Sequence, residues 1–239
     1  MNNDRLLYRR GILQLVASGV FLSTSGIALR IIEEADGWQI LFYRSLALSV
    51  TIFLILVFQK GSRIFDEFRG LGWNDCLLAV FLGTGFVAYV FALLYNTVAN
   101  ALFIFSCAPF VAGFLGWILL GERVATRTWF AIGVTMAGLA VMVGSELAVS
   151  HYLGTLIALW IPIAYAASII AVRSSKRDNM LVALCLAGLV AGGLSAIFVT
   201  DYALTSRDLI ISLYLGVFQV GVGFTLVVLG ARYVPAALV

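Results

Sequence analysis

The chain is short of charge. Only 11% of its 239 residues are charged, while 62% are hydrophobic. A soluble globular domain carries about 25% charged residues, so this chain cannot coat a water-facing surface, and its composition places it in a lipid bilayer. Histidine occurs once, as His151, and the three cysteines, Cys76, Cys107 and Cys185, sit singly inside apolar runs. Without a CxxC pair or clustered histidines no zinc site is expected, and the thiols read as small hydrophobes in packed interiors. P-loop and nucleophile-elbow patterns are absent too. No cofactor, no metal and no nucleic-acid partner is expected.

What the sequence has in abundance is long apolar runs. A helix needs roughly 20 apolar residues to cross a hydrocarbon core of about 30 Å. That measure predicts spans at 11–31, 38–58, 76–96, 100–120, 127–145, 153–172, 180–200 and 209–231. Residues 76–121 contain no charge at all, and Tyr95-Asn96-Thr97-Val98-Ala99-Asn100 is the natural turn between the two spans they must hold. The period-two alternation of a membrane barrel is missing, and lipid-facing backbone must satisfy its own hydrogen bonds, so the spans are helices. Arg5, Arg9 and Arg10 ahead of the first run resemble a signal peptide's start. The run is too long for a typical signal core, however, and no A-x-A site follows, so it is read as an uncleaved first helix.

Basic residues orient the spans. With the N-terminus in the cytoplasm, the inner side collects Arg5, Arg9, Arg10, Lys60, Arg63, Arg69, Arg123, Arg127, Arg173, Lys176, Arg177 and Arg232. The outer side holds only Arg30 and Arg207, and Arg44 lies within a span. This asymmetry follows the positive-inside rule and supports the number of spans. The acidic residues fall in loops or at helix ends, with Asp75 the nearest to the membrane interior. The absence of a mid-membrane carboxylate favours facilitated movement or exchange over proton coupling.

Two weak internal matches suggest a repeat. GILQLVASGVFLSTSGIALR at 11–30 lies over GTLIALWIPIAYAASIIAVR at 154–173, and NTVANAL at 96–102 lies over RYVPAAL at 232–238. The second copy then starts after five helices, an odd number, and must be inverted in the membrane, as in many secondary transporters. The expected organisation is a first repeat at 1–145 and a second, inverted and incomplete one at 146–239.

The segment at 99–143 carries a mid-helix proline, Pro109, then Leu120-Gly121-Glu122-Arg123, then a glycine-rich helix. With FYRSLAL at 42–48 and GARYVPAAL at 230–238, it closely resembles the EamA-type repeat of the drug/metabolite transporter superfamily. The resemblance implies an all-α integral membrane fold of two inverted five-helix units, ten helices in all. It further implies an exporter of small metabolites in the bacterial cytoplasmic membrane. The counterpart of Pro109 in the second copy would fall near position 245, so eight helices and the start of a ninth are expected here. An eight-helix chain of this design is expected to insert in a membrane but not to transport alone.

The candidate path residues are polar groups inside spans. Gln14, Ser18 and Ser25 share one face of the first helix, and Ser212, Gly216, Gln219 and Gly223 form a stripe on the eighth. Thr84 on the third helix, and Tyr165 with Ser168 on the sixth, add hydroxyls near mid-membrane. Each can equally serve plain helix packing, as can the Gly188 and Gly192 pair. The resemblance implies that helices one, three, six and eight line the path. Pro109 and Pro162 each remove a backbone hydrogen bond, which is best tolerated beside a polar cavity or a neighbouring helix. Arg44 lies six residues past Trp38, about 9 Å along the helix at 1.5 Å per residue. A charge at that depth is a candidate functional group, suited to a substrate carboxylate, though it can also snorkel to the surface or anchor a carbonyl. The leading reading is a metabolite exporter acting on an amino acid, a related compound or an amphiphilic drug. The alternatives are a non-transporting membrane scaffold or assembly subunit, and an integral-membrane enzyme. Partners are the lipid bilayer and a small-molecule substrate, with a homo-oligomer left open.

Overall fold

The structure, a computed structural model, describes residues 2–61, 64–120, 126–146, 152–174 and 180–230. The Gly121-Glu122-Arg123 ending, His151, the 175–179 loop and the start of the ninth helix lie outside the described residues. Among those described there is no strand. The helices are α1 Asn2–Ser23, α2 Ser25–Ile31, α3 Gly37–Lys60, α4 Ile64–Arg69, α5 Trp73–Tyr95, α6 Val98–Phe105, α7 Ala108–Leu120, α8 Thr126–Glu146, α9 Tyr152–Ser174, α10 Met180–Phe198, α11 Ser206–Tyr214 and α12 Gly223–Gly230. A π-helical segment, Leu215–Val222, joins α11 to α12.

Among the described residues each expected span is mainly helical, and seven helical stretches are long and apolar enough to cross a membrane. The fifth expected span, α8, has its described apolar part at Trp129–Gly138. The fold is an all-α membrane fold. Its outward faces carry large apolar side chains such as Leu13, Val16, Val20, Ile27 and Phe58, as lipid requires.

Three spans differ from the uninterrupted helices the sequence reading expects. The first is interrupted at Thr24, whose N–H bonds Phe21 O three residues back at 3.3 Å. The hydroxyls of Ser23 and Thr24 bond the Val20 and Phe21 carbonyls at 2.8 and 2.7 Å, and such back-bonding competes with the helical ladder. The fourth span breaks at Ser106-Cys107, so Pro109 does not kink a continuous helix. It sits as the second residue of α7, where its missing N–H costs nothing, and Ser106 Oγ bonds Phe103 O at 2.6 Å. Pro162, by contrast, lies inside the continuous α9. The third interruption is the π segment of the last span.

By packing, the chain divides into two compact units, Met1–Gly70 with Asn179–Val239, and Leu71–Asp178. In the first, α3 packs along α10 and α12 along α1, with the π segment against α1 and α3. Ile40, Leu41, Leu48 and Ile52 of α3 and Val182, Ala187 and Ala191 of α10 are buried. Gly188 allows the close approach of α10 to α3: a Cβ there would lie 2.3 Å from Ser49 Oγ and 3.1 Å from Ser45 O. In the second unit α5 packs along α9, which also meets α6 and α7. There a Cβ on Gly154 would lie 2.5 Å from Tyr95 O. Gly61, with φ of 56°, ends α3 in a conformation that a Cβ disfavours.

Candidate functional site

In the first unit, the polar groups of the spans gather on α3 and the π segment. Arg44 is 4% exposed and Gln219 3%, and Arg44 Nη2 donates to Gln219 Oε1 at 3.3 Å. The backbones can come this close because residue 216 is glycine. A Cβ on Gly216 would lie 2.3 Å from Arg44 O and 2.7 Å from Ala47 Cβ. One turn on, a Cβ on Gly221 would lie 3.1 Å from Thr51 Cγ2. The stripe expected on the eighth helix therefore lies against neighbouring helices: Ser212, Gly216 and Gln219 are buried, and Gly223 faces Leu22. π turns are rare and concentrate at functional positions. Here the wider turn carries the amide that meets Arg44, a buried cationic side chain inside an apolar span.

Of the first-span candidates, Ser18 is buried and its hydroxyl bonds Leu15 O at 2.7 Å, so it is satisfied within its own helix. Ser25 is buried as well. Gln14 Oε1 and Ser212 Oγ are buried without a hydrogen-bond partner among the described residues. The break at Thr24 adjoins the π segment, since Tyr214 Oη donates to Thr24 Oγ1 at 3.3 Å and Phe21 stacks on Phe218 with centroids 6.5 Å apart.

Asp208, an acidic residue at a helix end, ties two loops together. Asp208, the third residue of α11, is fully buried. Its Oδ2 accepts the N–H groups of Glu34 and Ala35 at 3.0 Å each, and its Oδ1 accepts that of Glu33 at 3.3 Å. Beside it, Asp36 caps α3: its Oδ1 accepts the Gln39 N–H at 2.8 Å, and Gln39 Oε1 accepts the Asp36 N–H at 2.9 Å. The Gln39 amide reaches Asp201 O and Ala203 O at 2.8 and 3.1 Å, and Tyr43 Oη donates to Tyr202 O at 2.7 Å. The signal was present as Thr205-x-x-Asp208, a helix-start pattern in which Thr205 Oγ1 accepts the Asp208 N–H at 3.3 Å.

The second unit holds the other candidates. Thr84 Oγ1 bonds Val80 O and Phe81 O at 2.9 and 3.1 Å, and Ser168 Oγ bonds Ala164 O at 2.7 Å. Both hydroxyls are thus spent on their own helices. Tyr165 meets Phe105 edge to face at 5.4 Å, next to the break that Pro109 follows. The densest polar cluster here lies where α5 ends and α9 begins. Asn96 Nδ2 donates to Thr155 Oγ1 at 3.0 Å and Asn100 Nδ2 to Asn96 Oδ1 at 3.0 Å. Asn100 belongs to the 95–100 turn segment and Thr155 to the first turn of α9, places where polar residues are ordinary and carry no signal of a joint. Among the described residues no group of three or more His, Cys, Asp or Glu could hold a metal ion.

No curated protein and no solved structure matches the chain. The sequence profile of the EamA-like transporter family matches residues 9–144, more than half the chain and the stretch holding the broken first span, Arg44, Thr84 and the Pro109 break. This multi-pass membrane protein belongs to the EamA-like transporter family.

Proposed function

We propose that the protein exports a small metabolite, an amino acid, a related compound or an amphiphilic drug, across the bacterial cytoplasmic membrane by alternating access. It works as a carrier rather than an enzyme, with its N-terminus in the cytoplasm and without a cofactor. The family match supports transport. The observation that carries the reading to a site is the buried Arg44–Gln219 hydrogen bond, formed inside two apolar spans at a π segment. Interrupted helices inside a membrane are tolerated where protein or a cavity receives the freed backbone, and transporters use them at substrate sites. The expected organisation, a first repeat at 1–145 and a second, inverted and incomplete one at 146–239, is of the kind from which inverted-repeat carriers build the halves that alternate. The packing units above follow spatial neighbours and the repeats follow sequence order, so the two divisions answer different questions.

The test is metabolite profiling of the medium from cells overproducing the protein, beside cells overproducing Arg44→Ala at equal membrane abundance. Export predicts one chemical class enriched in the medium by the wild type and not by the variant. Identical profiles from wild type, variant and empty cells would refute the reading.

A further inference from the structure

The first unit contains two interruptions that face each other and two kinds of fastening on either side of them. On the side of residues 32–36 everything is tied to one frame. Asp208 binds the 33–35 backbone, Gln39 binds 201 and 203, and Trp38 stacks on Phe198 at 4.6 Å. These contacts join α2, α11 and the start of α3 to the end of α10. On the other side, α1 packs along α12, and this pair meets α3 chiefly through the π segment, at Gly216, Gly221 and Gln219. Between the two sides the first span is interrupted at Thr24 and the last turns from α to π after Tyr214, and the Tyr214–Thr24 hydrogen bond joins the two points.

We infer that α1 and α12 form a two-helix arm that pivots against α3 and α10 at Thr24 and the π segment, with the Arg44–Gln219 hydrogen bond as its catch. A π turn holds one residue more than an α turn. Winding that residue out rotates α12 about its axis and carries α1 with it, while Gln219 leaves Arg44. The frame does not follow, because Asp208 and Gln39 hold its members to one another. Small movements become two discrete positions because packed helices are bistable rather than continuously deformable. The device is independent of what the protein carries.

The experiment measures spin-label distances in the full chain in nanodiscs, with the native cysteines replaced by alanine. One pair, Leu13 with Phe58, reports the arm against the frame at the end remote from the pivot. The other, Ile27 with Ile210, lies within the frame. All four side chains are exposed. Gln219→Ala is expected to broaden and lengthen the Leu13–Phe58 distribution. Gln219→Glu, which turns the catch into an ion pair, is expected to narrow it to its short component, and Ile27–Ile210 stays unchanged in both. Should Gln219→Ala fail to reach the membrane, Tyr214→Phe, which removes only the bond between the two interruptions, is expected to broaden the first pair alone. A Leu13–Phe58 distribution that stays put in these variants, or an Ile27–Ile210 distribution that moves with it, overturns the inference.

Discussion

Asp208 Oδ2 and the Ala35 N–H meet at 3.0 Å although 173 residues separate them in the chain. The same carboxylate accepts from Glu33 and Glu34, so one buried side chain satisfies three consecutive amides of the loop after the first span. Asp208→Ala strands those amides, at about 1–3 kcal/mol for each that stays out of water. Asp208→Asn keeps one acceptor oxygen and loses the charge. The melting temperature of the purified protein is expected to fall in the order wild type, Asn, Ala, and equal values for all three would mean that the clamp bears no load.

Close approach at glycine is graded along the helices. At Gly216 an added Cβ meets backbone, Arg44 O at 2.3 Å, which no rotamer change relieves. At Gly192 the nearest atom is Ser45 Cβ at 3.6 Å, an ordinary contact. Gly216→Ala is expected to destabilise by about 1–3 kcal/mol through overpacking, and Gly192→Ala to have little effect. Thermal unfolding in detergent checks the order, and a reversed ranking would contradict the packing at the π segment.

In the second unit, Thr155→Val keeps the shape of the side chain and removes the oxygen that accepts from Asn96 at 3.0 Å. Leaving that buried amide unmatched costs about 1–3 kcal/mol. Serine at 155 retains the oxygen and is expected to recover most of the loss. Valine and serine variants of equal stability would show that the hydroxyl has no part in the joint.

Arg44→Ala is expected to reduce transport at least tenfold while membrane abundance stays near wild type. Arg44→Lys keeps the charge but not the planar fork of donors and is expected to restore only part of the activity. Uptake or efflux of the metabolite found by profiling measures both. Loss of the protein from the membrane in both variants would make the guanidinium a structural group.

The orientation proposed above is checked with single cysteines in a Cys-free background. In intact cells an impermeant thiol reagent is expected to label Ala203→Cys and not Asp66→Cys, both exposed positions. The opposite pattern would invert the topology.

How much of this was legible in advance depended on whether the signal was local. Apolar run length determined the spans, because hydrocarbon thickness sets it and no partner is consulted. The Pro109 motif and the FYRSLAL phrase determined the family, because they are contiguous words. Arg44 stood out as the one basic residue within an apolar span. The interruption at Thr24 was half visible in Ser23-Thr24-Ser25, whose hydroxyls compete for carbonyls, yet nothing local said the ladder would yield there. The role of Asp208 was invisible for another reason: its three partners are some 174 residues away, and only the packing of α11 against the 32–36 loop turns a loop charge into a buried clamp. The spacing of Ser212, Gly216, Gln219 and Gly223 marks a stripe, but whether that stripe meets a cavity or a helix is not written in it. The tertiary structure decided it: α3 and α1 lie against the stripe, with Gly216 against Arg44 and Ala47 and Gly223 against Leu22.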